Sequence, residues 1–176
     1  MMINNHRLDN AHYVGSDNYN ERPSEEISLV VIHNISLPPG EFNTPYIEQF
    51  FTNQLEIEAH PYFQQIQDLK VCAHLLIKRD GSLVQFVPFD KRAWHAGESS
   101  YQGRENCNDF SIGIELEGSD NLAYESAQYQ VLKQVLKVLK SYYPISDVVG
   151  HSDIAPGRKT DPGAAFDWSK INDTSK

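Results

Sequence analysis

The alternation of apolar and polar positions along the chain predicts a sheet built from short strands. Residues 27–33 form a nearly unbroken apolar, β-branched run, which is typical of a central strand covered on both faces. Residues 110–118 alternate instead, so this strand should have one apolar and one polar face. The polar face carries Ser111, Gly113, Glu115 and Glu117. Further strands are predicted at residues 71–78, 83–87 and 147–149, with a hairpin turn at Asp80-Gly81.

Helical spacing of apolar residues occurs in two stretches. Thr44 and Pro45 resemble an N-cap and a first helical position, and the apolar pattern that follows them continues to Leu55. A longer amphipathic pattern covers residues 129–142 and stops at Pro144. Short strands alternating with two helices predict an α/β fold, a central mixed β-sheet flanked by helices, with long loops that form a cleft.

Composition indicates one ordinary globular domain. The chain has 176 residues, a length that can bury a sizeable core. Of these residues 40% are hydrophobic and 22% are charged, which is ordinary for a globular protein. We expect a single domain over residues 1–176, with its core at 27–168, a polar lead-in at 1–26 and a tail at 169–176. The lead-in shows no clear period, and we assign no function to it. A monomer is expected.

Charge and cysteine content exclude several classes of protein. The net charge of −9 argues against a nucleic-acid-binding surface. No apolar run approaches the ~18 residues that cross a membrane, and the lead-in lacks the apolar core of an export signal. We therefore expect a cytoplasmic protein without a membrane partner. Cys72 and Cys107 lie outside any motif with a neighbouring base, and we expect two reduced thiols.

The densest set of reactive side chains lies in residues 150–163, which we interpret as a loop because it has no helical period. There His151 and Asp161 offer a nitrogen and a carboxylate ligand, with Lys159 beside them. His33 ends the first long strand, and ligands collect at the carboxyl ends of strands in open α/β sheets. A lone histidine there is more often a bonded structural residue, but these partners favour a ligand. Together the set predicts a catalytic zinc ion with one position left for water.

A carboxylate and a cation complete this hypothesis. Glu115 lies on the polar face of its strand, where Gly113 leaves space above the sheet. A solvated strand is the better explanation of an isolated glutamate, but in a sheet that also delivers His33, Glu115 is a candidate for proton transfer. Lys159 is a candidate for stabilising an oxyanion. The predicted reaction class is metal-assisted amide hydrolysis.

Three nearby aromatic side chains have open interpretations. Small residues flank Trp94 and His95. The two aromatic side chains could form either a packed aromatic corner or a wall that faces a substrate. His74 lies among apolar neighbours in a predicted strand. It is more often a hydrogen-bonded core histidine than a ligand, although a position close to the pocket suits either role.

Several segments resemble the type 2 family of N-acetylmuramoyl-L-alanine amidases, which also includes peptidoglycan recognition proteins. The segments lie at residues 31–34, 73–77, 79–81, 94–97, 111–115 and 150–163. Residues 87–97 and 115–118 are similar to the AmpD branch, the cytosolic 1,6-anhydro-N-acetylmuramoyl-L-alanine amidases. The resemblance covers residues 27–168 and implies the type 2 amidase fold, similar to that of the recognition proteins.

The resemblance also implies roles for individual residues. It implies zinc (Zn2+) on His33, His151 and Asp161, with Glu115 as catalytic acid and base and Lys159 as its electrostatic partner. The implied substrate contacts involve Asn34 and the segments around Lys70, Asn106 and Ala155. We add His74, Trp94 and His95 as candidate substrate contacts. At Lys70 and Asn106 the chain departs from the family pattern, in which arginine is common, and neither residue offers arginine's bidentate fork.

The function that the resemblance implies is a step in cell-wall recycling. The amide between the lactyl group of 1,6-anhydro-N-acetylmuramic acid and L-alanine would be cleaved, with soluble 1,6-anhydro-muropeptides as the substrates. Two alternatives stay open: a non-catalytic muropeptide-binding module, and an amidase that acts on intact cell wall. The first would need a cleft but neither the three ligands nor the base.

Overall fold

The structure is a computed structural model that describes residues 1–171 of the chain, and that part contains twelve β-strands and three α-helices. The strands are β1 (Ile3–Asn4), β2 (Arg7–Leu8), β3 (His12–Tyr13), β4 (Tyr19–Glu21), β5 (Leu29–Ile35), β6 (Leu75–Ile77), β7 (Leu83–Gln85), β8 (Lys91–Ala93), β9 (Ser100–Tyr101), β10 (Arg104–Glu105), β11 (Ser111–Glu117) and β12 (Asp147–Gly150). The helices are α1 (Tyr46–Phe51), α2 (Ser126–Tyr142) and α3 (His151–Ile154). Residues 172–176 of the predicted tail lie outside the described residues.

Six of these strands form the central sheet in the order β12-β5-β11-β6-β7-β3. The first four strands in this order run parallel, β7 is antiparallel to β6, and β3 is parallel to β7. The sheet is therefore mixed, as predicted. Because β12, β5 and β11 are parallel neighbours, their carboxyl ends meet at one edge of the sheet.

Both faces of the central sheet are covered, which confirms the prediction from the apolar run at residues 27–33. One face packs against α2 through side chains such as Val30, Ile32, Ile112, Ile114, Leu132 and Leu139. The opposite face is divided between two clusters. One lies around α1 and includes Phe51, Phe63, Leu76 and Phe86, and the other includes Leu29, Val31, Cys107 and Ile154. The site described below lies on this second face.

The structure corrects the predictions for helix α1 and for the segment at 150–163. Helix α1 ends at Phe51, well before Leu55, because Asn53 adopts a left-handed φ of 59°. Thr44 is not its N-cap, since its hydroxyl donates instead to the carbonyl of Leu37. The segment at 150–163 is not entirely loop: its first residues form the short helix α3.

The lead-in at residues 1–26 is more ordered than its sequence indicates. It contributes a small hairpin from β1 and β2, the sheet edge strand β3, and β4, which pairs with β8. Arg22 donates all five of its N–H groups to backbone carbonyls, those of Phe89, Asn108, Asp109 and Ser111. The lead-in is thus tied to the segment that precedes β11.

Candidate active site

Parallel pairing of three strands brings the predicted ligands to one edge of the sheet. His33 lies in β5, and its Cα partner on β11 is Glu115, so the two side chains point to the same face. Strand β12 pairs with β5 on the other side and ends at Gly150, so His151 begins α3 directly beside His33. The sheet register therefore aligns three residues that are far apart in sequence.

The ligand atoms of His33, His151 and Asp161 converge on one point. The two Nδ1 atoms lie 2.9 Å apart, and Asp161 Oδ2 lies 3.1 Å from the first and 3.0 Å from the second. Three lone-pair-bearing atoms this close repel one another unless a positive charge, a proton or a metal ion, lies between them. Tetrahedral zinc with bonds of about 2.0–2.1 Å sets its ligand atoms about 3.3 Å apart. The donor types and their spacing therefore fit a metal ion of this kind.

The ionisation of these ligands suits a cation as well. Burial lowers the pKa of His33 to about 4, despite its contact with Asp161, so its imidazole is neutral near pH 7. Burial alone would raise the pKa of Asp161, but the contacts with His151 and His33 hold that pKa well below its usual range. A neutral imidazole and an ionised carboxylate are the forms that bind a metal.

Acceptors that contact the Nε2 atoms of His151 and His33 fix the orientation of both imidazoles. His151 Nε2 lies 3.0 Å from the carbonyl oxygen of Ala96, which can only accept, so the hydrogen of His151 is on Nε2. His33 Nε2 lies 3.0 Å from His95 Nδ1. In both rings Nδ1 is the atom that faces the other ligands.

Glu115 lies beside this triad with an unpartnered oxygen. Its side chain is buried, and Oε2 has no hydrogen-bond partner within residues 1–171. Burial raises the pKa of Glu115 well above its usual value, the charge of Asp161 raises it further, and Lys159 opposes both. A buried carboxyl group with a free oxygen and a raised pKa is suited to accept and release a proton.

Glu117, two residues further along the same face of β11, shows a different environment. It is also fully buried, but Oε1 accepts from the backbone N–H of Asn43 at 2.6 Å and Oε2 from that of Arg79 at 3.0 Å. Both oxygens of Glu117 are thus used to anchor two loops. The sequence placed the two glutamates on one face but could not distinguish them.

The triad and Glu115 lie at the base of an open cleft with a volume of about 620 Å³. Lys159 is exposed and lines this cleft. Its apolar lining includes Leu37, Phe50, Phe51, Tyr62, Ile66 and Leu69. Its polar lining includes Ser119, Asp120, Asn121 and Thr160. The cleft therefore offers both apolar and polar contacts around the reactive groups.

Three of the predicted substrate-binding residues line the cleft. Asn34 donates from its amide nitrogen to Asp120 at 2.8 Å and to the carbonyl of Pro162 at 3.1 Å, which ties β5 to the loop that carries Asp161. Trp94 donates from Nε1 to a side-chain oxygen in the lead-in at 2.7 Å. His95 borders the cleft, but both of its nitrogens have protein partners, so neither is free for a substrate.

The other four predicted contacts lie elsewhere. His74 has no exposed surface and lies outside the cleft, so a contact with substrate through its side chain finds no support in this structure. Lys70 is exposed but does not line the cleft, although Leu69 and Val71 do. Asn106 and Ala155 line a second, adjacent depression of about 480 Å³. The substrate roles of these residues stay predictions.

No sequence pattern indicated the residues that support the metal ligands and Glu115. Arg22 sits in a polar segment without periodicity, and Ser111 is a single hydroxyl on a predicted strand. Gly113 was predicted to leave space above the sheet, but the side chain that occupies this space, His95, is distant in sequence. Both cysteines are buried and free, as expected. No helix in residues 1–171 is long and apolar enough to cross a membrane.

Comparison with known proteins places the chain beside one family. The family described as N-acetylmuramoyl-L-alanine amidase matches residues 23–164. The 1,6-anhydro-N-acetylmuramyl-L-alanine amidase AmpD of Escherichia coli K12 is 57% identical over 174 residues, which cover 97% of this chain and 95% of that protein.

Solved structures agree with this similarity. The crystal structure of a selenomethionine derivative of AmpD has a TM-score of 0.95 at 57% identity, with 97% of each chain covered. A complex of the amidase AmiD from E. coli with its substrate anhydro-N-acetylmuramic acid-L-Ala-D-gamma-Glu-L-Lys has a TM-score of 0.60 at 28% identity. It covers 94% of this chain and 59% of AmiD.

Proposed function

This chain belongs to the N-acetylmuramoyl-L-alanine amidase family, and from that premise we propose that it hydrolyses the lactyl–L-alanine amide of 1,6-anhydro-N-acetylmuramoyl peptides. The observation that carries the proposal is the convergence of three ligand atoms beside Glu115 at the base of the cleft. The substrate class is supported by the activity for which the E. coli relative is named and by the anhydro-muropeptide bound to AmiD.

We propose zinc as the metal, held by His33 Nδ1, His151 Nδ1 and Asp161 Oδ2. Two imidazole nitrogens and one carboxylate oxygen form a donor set that zinc uses in catalytic sites. When bound, zinc supplies Lewis acidity at the amide carbonyl and a lowered pKa for the attacking water.

Glu115 is assigned the proton transfers. Its free Oε2 would take one proton from the attacking water, while the water oxygen forms a bond to the amide carbon. As the C–N bond breaks, Glu115 would return this proton to the leaving nitrogen, so that the products are a lactyl carboxylic acid and the free amine of L-alanine. The raised pKa of Glu115 supports both steps.

Lys159 is assigned to the negative charge that develops on the carbonyl oxygen. Lys159 lines the same cleft, and its positive charge lowers the pKa of both His33 and Glu115. A fixed cation at this place stabilises the charged transition state more than the neutral substrate. Asn34, Trp94 and the ring edge of His95 are the proposed substrate contacts that line the cleft.

The proposed setting is the recycling of wall fragments in the cytoplasm by a monomer. The implied substrates are soluble muropeptides, so no membrane or nucleic-acid partner is required. Fractionation of cells and measurement of the molar mass in solution would test these two points.

The function is tested by release of peptide from defined muropeptides. The purified protein is incubated with 1,6-anhydro-muropeptides, with reducing-end muropeptides and with intact wall, each with and without a strong chelator. We expect release from the anhydro form, loss of release after metal removal, and recovery when zinc is added back. Activity that survives thorough metal removal would contradict the zinc mechanism, and preference for intact wall would contradict the proposed substrate.

A further inference from the structure

His95, which is partly buried at the border of the cleft, is held by contacts on both of its nitrogens. Nδ1 lies 3.0 Å from His33 Nε2, and Nε2 lies 3.2 Å from the hydroxyl of Ser111. That hydroxyl in turn donates to the carbonyl of Cys107 at 2.5 Å. The contacts form one continuous chain from the proposed metal ligand to the backbone.

The carbonyl at the end of this chain sets the direction of every hydrogen bond in it. Because the oxygen of Cys107 can only accept, the single hydrogen of Ser111 points towards it. The Ser111 hydroxyl then accepts from His95, so the hydrogen of a neutral His95 is on Nε2. His95 Nδ1 must accept in turn from His33 Nε2–H. His33 is left with a bare Nδ1, the atom that faces His151 and Asp161.

The space for the His95 ring exists because β11 has a glycine at position 113. A Cβ placed on Gly113 would lie 2.4 Å from His95 Cγ and 2.6 Å from its Nδ1. No such contact is possible in a packed protein, so any larger residue at 113 must displace the ring. Gly113 does not have a positive φ, so the glycine is required by this close approach and not by its backbone conformation.

We propose that His95 is a positioning residue for the metal centre, which fixes the tautomer and the orientation of His33 through the chain that starts at Cys107. Gly113 contributes to this positioning, because its lack of a side chain leaves room for the imidazole of His95. This inference rests on the proposed metal site and adds to it a residue that contacts neither the metal nor the reacting atoms. Groups that orient metal-bound histidines usually contribute about 10–100-fold in metal affinity.

The first test is the zinc affinity of variants, measured by competition with a chelator at constant pH. His95→Phe keeps a ring but removes the acceptor, and its zinc Kd should rise about 10–100-fold. His95→Asn can present an oxygen near the former Nδ1 position and should recover a large part of this loss. Gly113→Ala removes no polar group, yet it should weaken zinc binding because it displaces His95. His12→Phe, at an exposed position of β3, is the control and should bind zinc like the wild type.

The second test reads the tautomer of His33 by nitrogen NMR of its ring in the same proteins. The wild type should carry the hydrogen on Nε2, whereas His95→Phe should populate both tautomers when no metal is bound. Circular dichroism identifies variants that fail to fold, and Ser111→Ala then replaces His95→Phe, with a smaller expected rise in Kd.

Two results would separate the inference from the proposed function. A wild-type protein that binds no zinc would overturn the metal site itself. Tight zinc binding by the wild type, with equal Kd values and the same His33 tautomer in His95→Phe, would overturn only the role of His95.

Discussion

Two clusters of buried polar side chains lie next to each other in this fold, and they differ in how completely their atoms are hydrogen-bonded. The metal cluster consists of His33, His151, Asp161 and Glu115. The second, the arginine cluster, consists of Arg22 and His74 with their backbone partners. His95 lies between the two, its ring centroid 5.1 Å from that of His33 and 5.8 Å from that of His74.

The arginine cluster satisfies nearly all of its hydrogen-bonding capacity. Arg22 uses its five N–H groups on four carbonyls. His74 Nδ1 accepts from the N–H of Gly113 at 3.1 Å, and Nε2 donates to the carbonyl of Lys91 at 3.0 Å. In the metal cluster, by contrast, three ligand atoms crowd within 3.1 Å of one another and Glu115 Oε2 has no partner in residues 1–171.

We interpret this difference as the division between structural histidines and carboxylates and those proposed to act in the reaction. A buried polar group without a partner costs free energy, and at a cleft it marks a place where another molecule or ion can supply the missing contact. Burial by itself does not make the distinction, because His33 and His74 are both buried. The four predictions that follow test the division, from the largest expected effect to the smallest.

The largest effect is expected for Glu115→Gln, which removes the proton acceptor but keeps the shape of the side chain. Turnover of anhydro-muropeptide should fall about 10²–10⁴-fold, while zinc content and thermal stability stay close to those of the wild type. Glu117→Gln is the matched control on the same strand. It should keep turnover but lose about 1–3 kcal/mol of stability, because one backbone N–H loses its acceptor. If the two variants behaved alike, the comparison would fail.

Arg22→Met should destabilise the protein without removing its chemistry. The substitution leaves the carbonyls of Phe89, Asn108, Asp109 and Ser111 without these donors, and we expect a loss of about 2–4 kcal/mol in the free energy of unfolding. Chemical denaturation measures this loss, and kcat of the folded variant should stay within a few-fold of the wild type. Unchanged stability combined with abolished turnover would indicate that Arg22 acts in the reaction, as the metal cluster is proposed to do.

Lys159→Met should act on the reaction and not on the metal. Loss of one group that stabilises an oxyanion usually lowers kcat by about 10²–10³-fold. Since Lys159 is a positive charge near the ligands, zinc should bind equally well or slightly more tightly in its absence. Steady-state kinetics and chelator competition measure the two quantities. Weaker zinc binding in this variant would indicate that Lys159 supports the site structurally.

The smallest effect is the pH dependence of stability that His74 contributes. Burial, with a further contribution from the charge of Arg22, lowers the pKa of His74 to about 3 from its ordinary value of 6.5. Between these pH values the unfolded chain binds the extra proton, so stability should fall as the pH falls from about 6.5 towards 3. The expected slope is about 1.4 kcal/mol per pH unit.

His74→Gln should lack this contribution, so the difference in stability between wild type and variant should change by about 1.4 kcal/mol per pH unit. Unfolding would be measured with chelator present between pH 6 and pH 4, so that release of metal does not contribute. Parallel curves for the two proteins would mean that His74 does not stay neutral in the folded state, contrary to its place in the arginine cluster.

The sequence by itself determined the α/β architecture and indicated the reaction class. Unbroken and alternating apolar runs record the burial of strand faces, so β5, β11 and helix α2 could be read directly from them. The metal ligands could be proposed because only a few residue types bind zinc, and because His33 ends a strand while His151 follows one.

Only the tertiary structure distinguished residues of the same type that have the same local sequence pattern. Glu115 and Glu117 share a strand face, and His74 and His95 share apolar surroundings, so no local pattern separates the members of either pair. Their roles depend on partners that arrive from distant segments: Asn43 and Arg79 for Glu117, Ser111 for His95, and the lead-in residue Arg22 beside His74. The periodicity of apolar residues indicates whether a side chain is buried. Which atoms a buried side chain contacts depends on how the strands and loops pack together.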